Sequence, residues 1–198
     1  MSKRKFKNLE VNYMFKICSE KGLRIAISGK SGCGNTTVST LLSKTLGIEL
    51  INYTFRQLAQ EKGLTLSQVI ENAKTDDSYD KYVDSHQVFL AEKSSCVLGS
   101  RLAIWMLKNA DLKIYLKLDD DTRAERIYNR EGGDLQQIKE FTKMRDSEDS
   151  RRYMKLYGID NSDLTFADLV IDTKTNNPEQ IVKIILDELK KRKLICEE

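Results

Sequence analysis

Nine residues, Gly29-Lys30-Ser31-Gly32-Cys33-Gly34-Asn35-Thr36-Thr37, carry the first chemical signal in this sequence. Glycines at these spacings let backbone N–H groups close around anionic oxygens where a side chain would clash. A β-branched run, Arg24–Ser28, precedes them, and a segment with Val38, Leu41, Leu42 and Leu46 on one face follows, with Gly47 as its stop. Strand, loop, then helix aims a helix N-terminus at the anion, so the stretch reads as a nucleotide phosphate loop. Thr36 stands where the hydroxyl of such a loop holds Mg²⁺. The position before it, normally lysine, is Asn35, which cannot neutralise charge. Lys30 is the cation at hand. The string also resembles the variant loops of partition-type ATPases, whose early lysine reaches phosphates across a dimer. Lys30 therefore has three placements open: its own subunit's phosphates, a partner's, or solvent.

A second group is Arg145, Asp149 and Arg152, at offsets of 0, 4 and 7. At about 100° per residue they fall within roughly 60° of each other on a helix. Two guanidiniums flanking a carboxylate can grip a phosphate while the carboxylate takes a sugar hydroxyl. An exposed ion-pair network would use the same spacing. Arg56 and Arg101 each follow an expected strand, at the carboxyl edge of a parallel sheet, where ligands of open α/β folds bind. Four arginines near a phosphate loop suit transfer of a phosphoryl group between two anions.

The elements that must position these residues alternate in type, which indicates an α/β fold with a parallel sheet. Five strands are expected: Arg24–Ser28, Ile48–Asn52, Cys96–Ser100, Leu112–Leu118 and Leu169–Asp172. Two or three short helices standing off the sheet fill Tyr53–Lys93. A long charged amphipathic stretch covers Asp134–Tyr157, and Pro178 opens a final helix. The chain has 198 residues, ten glycines, one proline and a net charge of +3, which fits one domain without a long linker. Residues 1–24 carry seven Lys or Arg against two Glu. Such an arm could touch nucleic acid or an acidic partner, but the expected reading is a solvated extension over residues 1–23. Four cysteines without CxxC spacing, and a lone His86, give no sign of a disulfide framework or zinc site. No run is apolar enough for a leader or a membrane span, so a cytoplasmic protein is expected.

Longer strings extend the reading. "TFRQLAQEKGLTLSQV", the spacing of Asp76, Asp80 and Asp84 with Gln87, "SRLAIWM", "ADLKIYLKLDDDTRAERI" and "RRYMKLYGIDNSDLTFADLVIDT" resemble the nucleoside monophosphate kinases, specifically the archaeal-type cytidylate kinases, over about residues 24–185. The resemblance implies a P-loop kinase fold, a five-stranded parallel sheet flanked by helices, as one domain over 24–198. It implies an NMP-binding region at about 53–93 and a lid at about 130–157. It also implies Mg²⁺ with ATP as donor and CMP or dCMP as acceptor. Carried over by position, Gly29 to Thr37 bind ATP. Arg56, Arg101, Arg145, Asp149 and Arg152 bind the acceptor. Lys30, Arg101, Arg145 and Arg152 form the catalytic set. Arg123, Arg126 and Arg130 lead into the lid. Two departures stand out: Asn35 replaces the family's lysine, and Gly99-Ser100 replaces the Glu-Gly of its E-G-R-L-A string, removing an acidic group expected to organise Mg²⁺. Three readings follow. One is an active (d)CMP kinase using Lys30. Another is a catalytically impaired pseudo-kinase that senses nucleotide for a partner. The last is a partition-like ATPase, which the loop suggests and the rest of the chain opposes.

Overall fold

In the computed structural model, which describes residues 15–197, a short strand at Phe15–Ile17 (β1) precedes the β-branched run Arg24–Gly29 (β2). The chain then forms α1 (Asn35–Leu46), β3 (Glu49–Ile51), α2 (Phe55–Lys62), α3 (Leu66–Ala73), α4 (Ser78–Ala91) and β4 (Cys96–Gly99). A single turn α5 (Ala103–Met106), β5 (Leu112–Lys117), α6 (Asp120–Glu131) and α7 (Leu135–Tyr157) follow. The chain ends with β6 (Leu169–Asp172), α8 (Pro178–Lys191) and β7 (Ile195–Glu197).

The five expected strands form one sheet in the order β3-β4-β2-β5-β6, with every neighbouring pair parallel. β2 lies in the middle because Ile25 to Gly29 are all buried, as a strand covered on both faces must be. One face is covered by α1 and α8, whose Val38, Leu42, Ile181, Ile185 and Leu189 pack on Ile25, Ile27 and Ile114. The other carries Leu98, Ile104, Trp105 and Tyr115, with Tyr153 of α7 laid across them. Helices α2 to α4 hold a small core of their own around Tyr53, Leu58, Val69 and Val83. Helix starts follow local chemistry. Thr65 with Gln68 and Asn177 with Gln180 form reciprocal caps on α3 and α8, and Pro178 fills the first turn of α8. No described helix is long and apolar enough to cross a membrane.

One expectation is corrected. Residues 15–17 fall inside the stretch read as solvated extension, yet β1 pairs antiparallel with β7, and Phe15 and Ile17 pack against the main core. Leu23 is fully buried as well. The rest of the basic arm, with Lys3, Arg4, Lys5 and Lys7, lies outside the described residues.

Candidate active site

The carboxyl ends of β2, β3, β4 and β6 open on one cleft of about 950 Å³. Its walls are the loop Gly29–Thr37, Asn52 to Thr54, Asp84 and Gln87 of α4, Gly99 to Arg101, Arg126, Arg130, Tyr153 and the turn Thr173–Asn177 with the start of α8. The loop is shaped by its glycines. Gly34 caps α1 at φ 90°, a conformation other residues rarely adopt, and leaves the first N–H groups of α1 facing the cleft. Thr36 and Thr37 are exposed there, and no hydrogen bond engages the Thr36 hydroxyl among the described residues. That hydroxyl fits the need of Mg²⁺ for one protein oxygen beside substrate phosphates. No group of three or more His, Cys, Asp or Glu among the described residues could hold a metal alone. Asp119 instead caps α6 through the Thr122 N–H at 2.9 Å.

Asn35 turns away from the loop. Its Nδ2 donates to the carbonyls of Ile27 (3.0 Å) and Ser100 (3.4 Å), and its Oδ1 accepts from Ser39 Oγ at 2.9 Å. The side chain thus ties the start of α1 to the ends of β2 and β4. Gly99 lies against the same group: a Cβ there would meet Ser39 Oγ at 2.6 Å, Ser39 Cβ at 3.0 Å and Asn35 Oδ1 at 3.1 Å. The two departures from the family pattern are therefore in contact.

Lys30 stands at the cleft mouth, 44% exposed, with Nζ 3.3 Å from Asp146 Oδ2 on α7 of the same chain. Asp146 is also gripped through both oxygens by Arg123, which is fully buried and donates from Nε to the Ser31 carbonyl at 2.8 Å. Burial pushes the Asp146 carboxyl up, but Arg123 and Lys30 more than offset this and hold it below the usual carboxylate range. Loop, α6 and α7 are thus joined by one charge network. The sequence names Arg123 only as one of three arginines leading into the lid, with its contact to phosphate open, and does not mark Asp146 at all. The usable signal for Arg123 was its spacing from Ile127, which puts it on the buried stripe of α6.

The four expected arginines are not equally placed. Arg101 lines the cleft and pairs with Asp149, which is itself buried. Burial and the nearby Arg145 both lower the pKa of the Arg101 guanidinium. Arg152 sits one step behind, donating to Asp149 at 2.8 Å, with its Nε 3.4 Å from Asp80 but without a hydrogen-bond partner. Arg145 is exposed and lines a separate groove between α6 and α7 with Ser31, Arg130 and Asp146. Arg56, in the first turn of α2, is exposed and lies outside the cleft wall. Arg126 faces the cleft while bonding Thr173 through its hydroxyl and carbonyl.

At the far wall the Gln87 Oε1 is buried without a donor. Asp84 beside it accepts from Tyr157 Oη at 2.8 Å. Burial raises the Asp84 carboxyl to about 6; the Tyr157 hydroxyl and Arg152 oppose this and Asp80 adds to it. Both residues belong to the Asp76, Asp80, Asp84 and Gln87 spacing that carries the family resemblance, and spacing alone assigns them no role.

A family model described as cytidylate kinase-like matches residues 24–175. A protein named cytidylate kinase 2 from Borreliella burgdorferi is 46% identical over 176 residues, covering 87% of this chain and 98% of that relative. Cytidylate kinase from Archaeoglobus fulgidus is 38% identical over 175 residues, covering 87% and 97%. Among solved structures, shikimate kinase from Acinetobacter baumannii in complex with shikimate matches with TM-score 0.60 at 20% identity, covering 88% of this chain and 97% of that one. Deoxyadenosine kinase from M. mycoides with bound dATP matches with TM-score 0.53 at 19% identity, covering 85% and 100%. These two likenesses concern the fold.

Proposed function

Since the chain belongs to the cytidylate kinase-like family, we propose that it transfers the γ-phosphoryl group of ATP to CMP or dCMP, giving ADP and CDP or dCDP. The observation that carries the choice of acceptor is the far wall of the cleft. Gln87 Oε1 is buried without a donor and Asp84 supplies a carboxylate, so the wall offers acceptors and asks for N–H groups. Cytosine presents an amino group where uracil presents a carbonyl oxygen. A base carrying an oxygen there would leave the buried Gln87 Oε1 unpaired and set a further acceptor against the Asp84 carboxylate, which discriminates more strongly than any loss of apolar contact.

Phosphoryl transfer asks the protein for positioning and charge more than for covalent chemistry. The N–H groups at the start of α1 hold the donor phosphates, and Lys30 supplies the cation that Asn35 does not. The Thr36 hydroxyl would hold Mg²⁺, which would supply positive charge to offset that developing on transfer. Arg126 and the turn at Thr173–Asn177 wall the donor side. Arg101 meets the acceptor phosphate. Asp149 keeps Arg101 aimed and is free to take a sugar hydroxyl once phosphate competes for the guanidinium. Arg152 acts through Asp149 and is a positioning residue in this arrangement.

The test is a coupled assay with ATP across CMP, dCMP, UMP and AMP. The expected result is kcat/KM for CMP and dCMP at least about tenfold above UMP, the size of one buried polar mismatch. The pH profile gives a second readout. Asp84 ionises near 6, so lowering the pH through 6 converts an acceptor into a carboxyl that no longer attracts the amino group as strongly. The advantage of CMP over UMP should shrink there in the wild type. Asp84→Asn should show the same small advantage at every pH. Both nucleotides carry a phosphate with a pKa of about 6, so taking their ratio cancels the substrate's own titration. Equal turnover of CMP and UMP would overturn the acceptor assignment. CMP binding by calorimetry with no turnover of any acceptor would instead identify a nucleotide sensor.

A further inference from the structure

Away from the cleft, Cys18 and Cys196 lie diagonally across the end of the β1–β7 ladder, with their sulfur atoms 2.7 Å apart. The ladder makes the two residues diagonal neighbours on one face, a spacing their side chains can span. Lys16 is the register partner of Cys196 and Ile17 that of Ile195, and the Cys18 N–H continues the pairing by donating to the Leu194 carbonyl at 3.0 Å. Lys16, Cys18 and Cys196 all sit on the exposed side, while Phe15, Ile17 and Ile195 turn to the core. Both thiols also point at one carbonyl, that of Lys16, at 3.8 and 3.7 Å. Two sulfurs this close need only small side-chain rotations to reach bonding distance.

We propose that Cys18 and Cys196 form an oxidisable thiol pair that closes to an intramolecular disulfide and clamps the first described strand to the last. The other two cysteines cannot compete, because Cys33 and Cys96 are buried at 1% and 0% exposure. The hydrogen bond that Cys18 donates to Cys196, with some desolvation, raises the Cys18 pKa above the ordinary thiol value, so the pair rests as thiols until an oxidant arrives. The oxidant required is a small-molecule disulfide of the glutathione type. One cysteine thiolate attacks it, forming a mixed disulfide and releasing one small thiol. The second thiolate then attacks the protein-side sulfur, forming the Cys18–Cys196 bond and expelling the second small thiol. Two electrons pass from the protein to the oxidant, and the two protons leave with the small thiols.

The consequence is a staple. The two residues are 178 positions apart, so the bond closes a loop around nearly all of the described fold and removes much of the freedom of the unfolded chain. No pattern in the sequence signals it. The pair is visible only once the two strands are placed side by side.

The experiment treats the full-length protein with glutathione disulfide under native conditions, then maps disulfide-linked peptides and measures thermal melting. The expected product is a monomer with the Cys18 peptide joined to the Cys196 peptide and two fewer free thiols. Its melting midpoint should rise by about 5 °C or more, and reductant should reverse the shift. Cys18→Ser and Cys196→Ser, each folded by circular dichroism, should lose both the link and the shift. Persistent free thiols at both positions, stable mixed disulfides with glutathione, covalent dimers, or a link involving Cys33 or Cys96 would each overturn the proposal. A correct link without a rise in midpoint would overturn the clamp.

Discussion

At position 35 the structure gives the side chain a task that has nothing to do with phosphate charge. The Asn35 amide binds the Ile27 and Ser100 carbonyls and takes a hydrogen bond from Ser39, while Gly99 leaves the room this packing needs. Restoring a lysine at 35 and an acid at 99 is therefore not a simple repair. Asn35→Lys alone should be tolerated. The Ile27 carbonyl keeps a bond from the Ser100 N–H at 3.1 Å, so only Ser100 loses a donor. Gly99→Glu places a Cβ inside the Ser39 side chain and should cost about 1–3 kcal/mol, the usual penalty of overpacking, with little turnover gained. Lys30→Ala removes the loop's own cation, and kcat/KM should fall by about 10²-fold or more. Steady-state kinetics and melting curves on the three variants check this together. Unchanged kinetics in Lys30→Ala, or a faster and fully stable Gly99→Glu, would show that charge reaches the phosphates by another route.

At the scale of elements, α7 decides how much of the arginine set is usable. The helical spacing correctly puts Asp149 and Arg152 together, but it also groups Arg145 with them, and Arg145 faces the α6–α7 groove instead. Spacing fixes direction around a helix axis and says nothing of what waits on each side. Asp149 finds Arg101 from beyond β4, and Asp146, on the opposite flank of the stripe from Glu148, finds Arg123 and Lys30. This orders the effects of three neighbouring mutations on CMP affinity by calorimetry. Arg152→Ala leaves buried Asp80 without a cation and Asp149 with Arg101 alone, and should weaken binding by about tenfold or more. Arg145→Ala should cost less. Arg151→Ala, an exposed residue with no ion pair among the described residues, should cost nothing measurable. A loss at Arg151 equal to that at Arg152 would mean the helix docks on a different face.

For the whole molecule, what could be read in advance was whatever has a local period. The apolar runs at Ile25–Ile27 and Ile114–Leu116 announce strands covered on both faces, and the Ile181, Ile185 and Leu189 row announces a helix lying on them. The phosphate loop was legible because its glycines, strand and helix are contiguous in sequence. The closing ladder was not. β1 and β7 have three residues each, too short for alternation to show, and their pairing joins the two ends of the described chain. The basic charge of residues 1–24 pointed the other way, to a solvated arm. Two deletions separate the readings. Removing residues 1–14 leaves β1 in place and should leave the melting midpoint within a degree or two. Removing residues 1–20 takes away Phe15 and Ile17, both half-buried against the main core, and strips β7 of its partner. At about 1 kcal/mol for each half-buried side chain, the loss is about 2 kcal/mol, or about 5 °C in a domain of this size. Nucleotide binding should persist in the longer deletion at temperatures below its midpoint, because the cleft wall begins at Gly29. Equal melting of the two truncated proteins would show that the ladder contributes nothing and return residues 15–17 to the solvated arm.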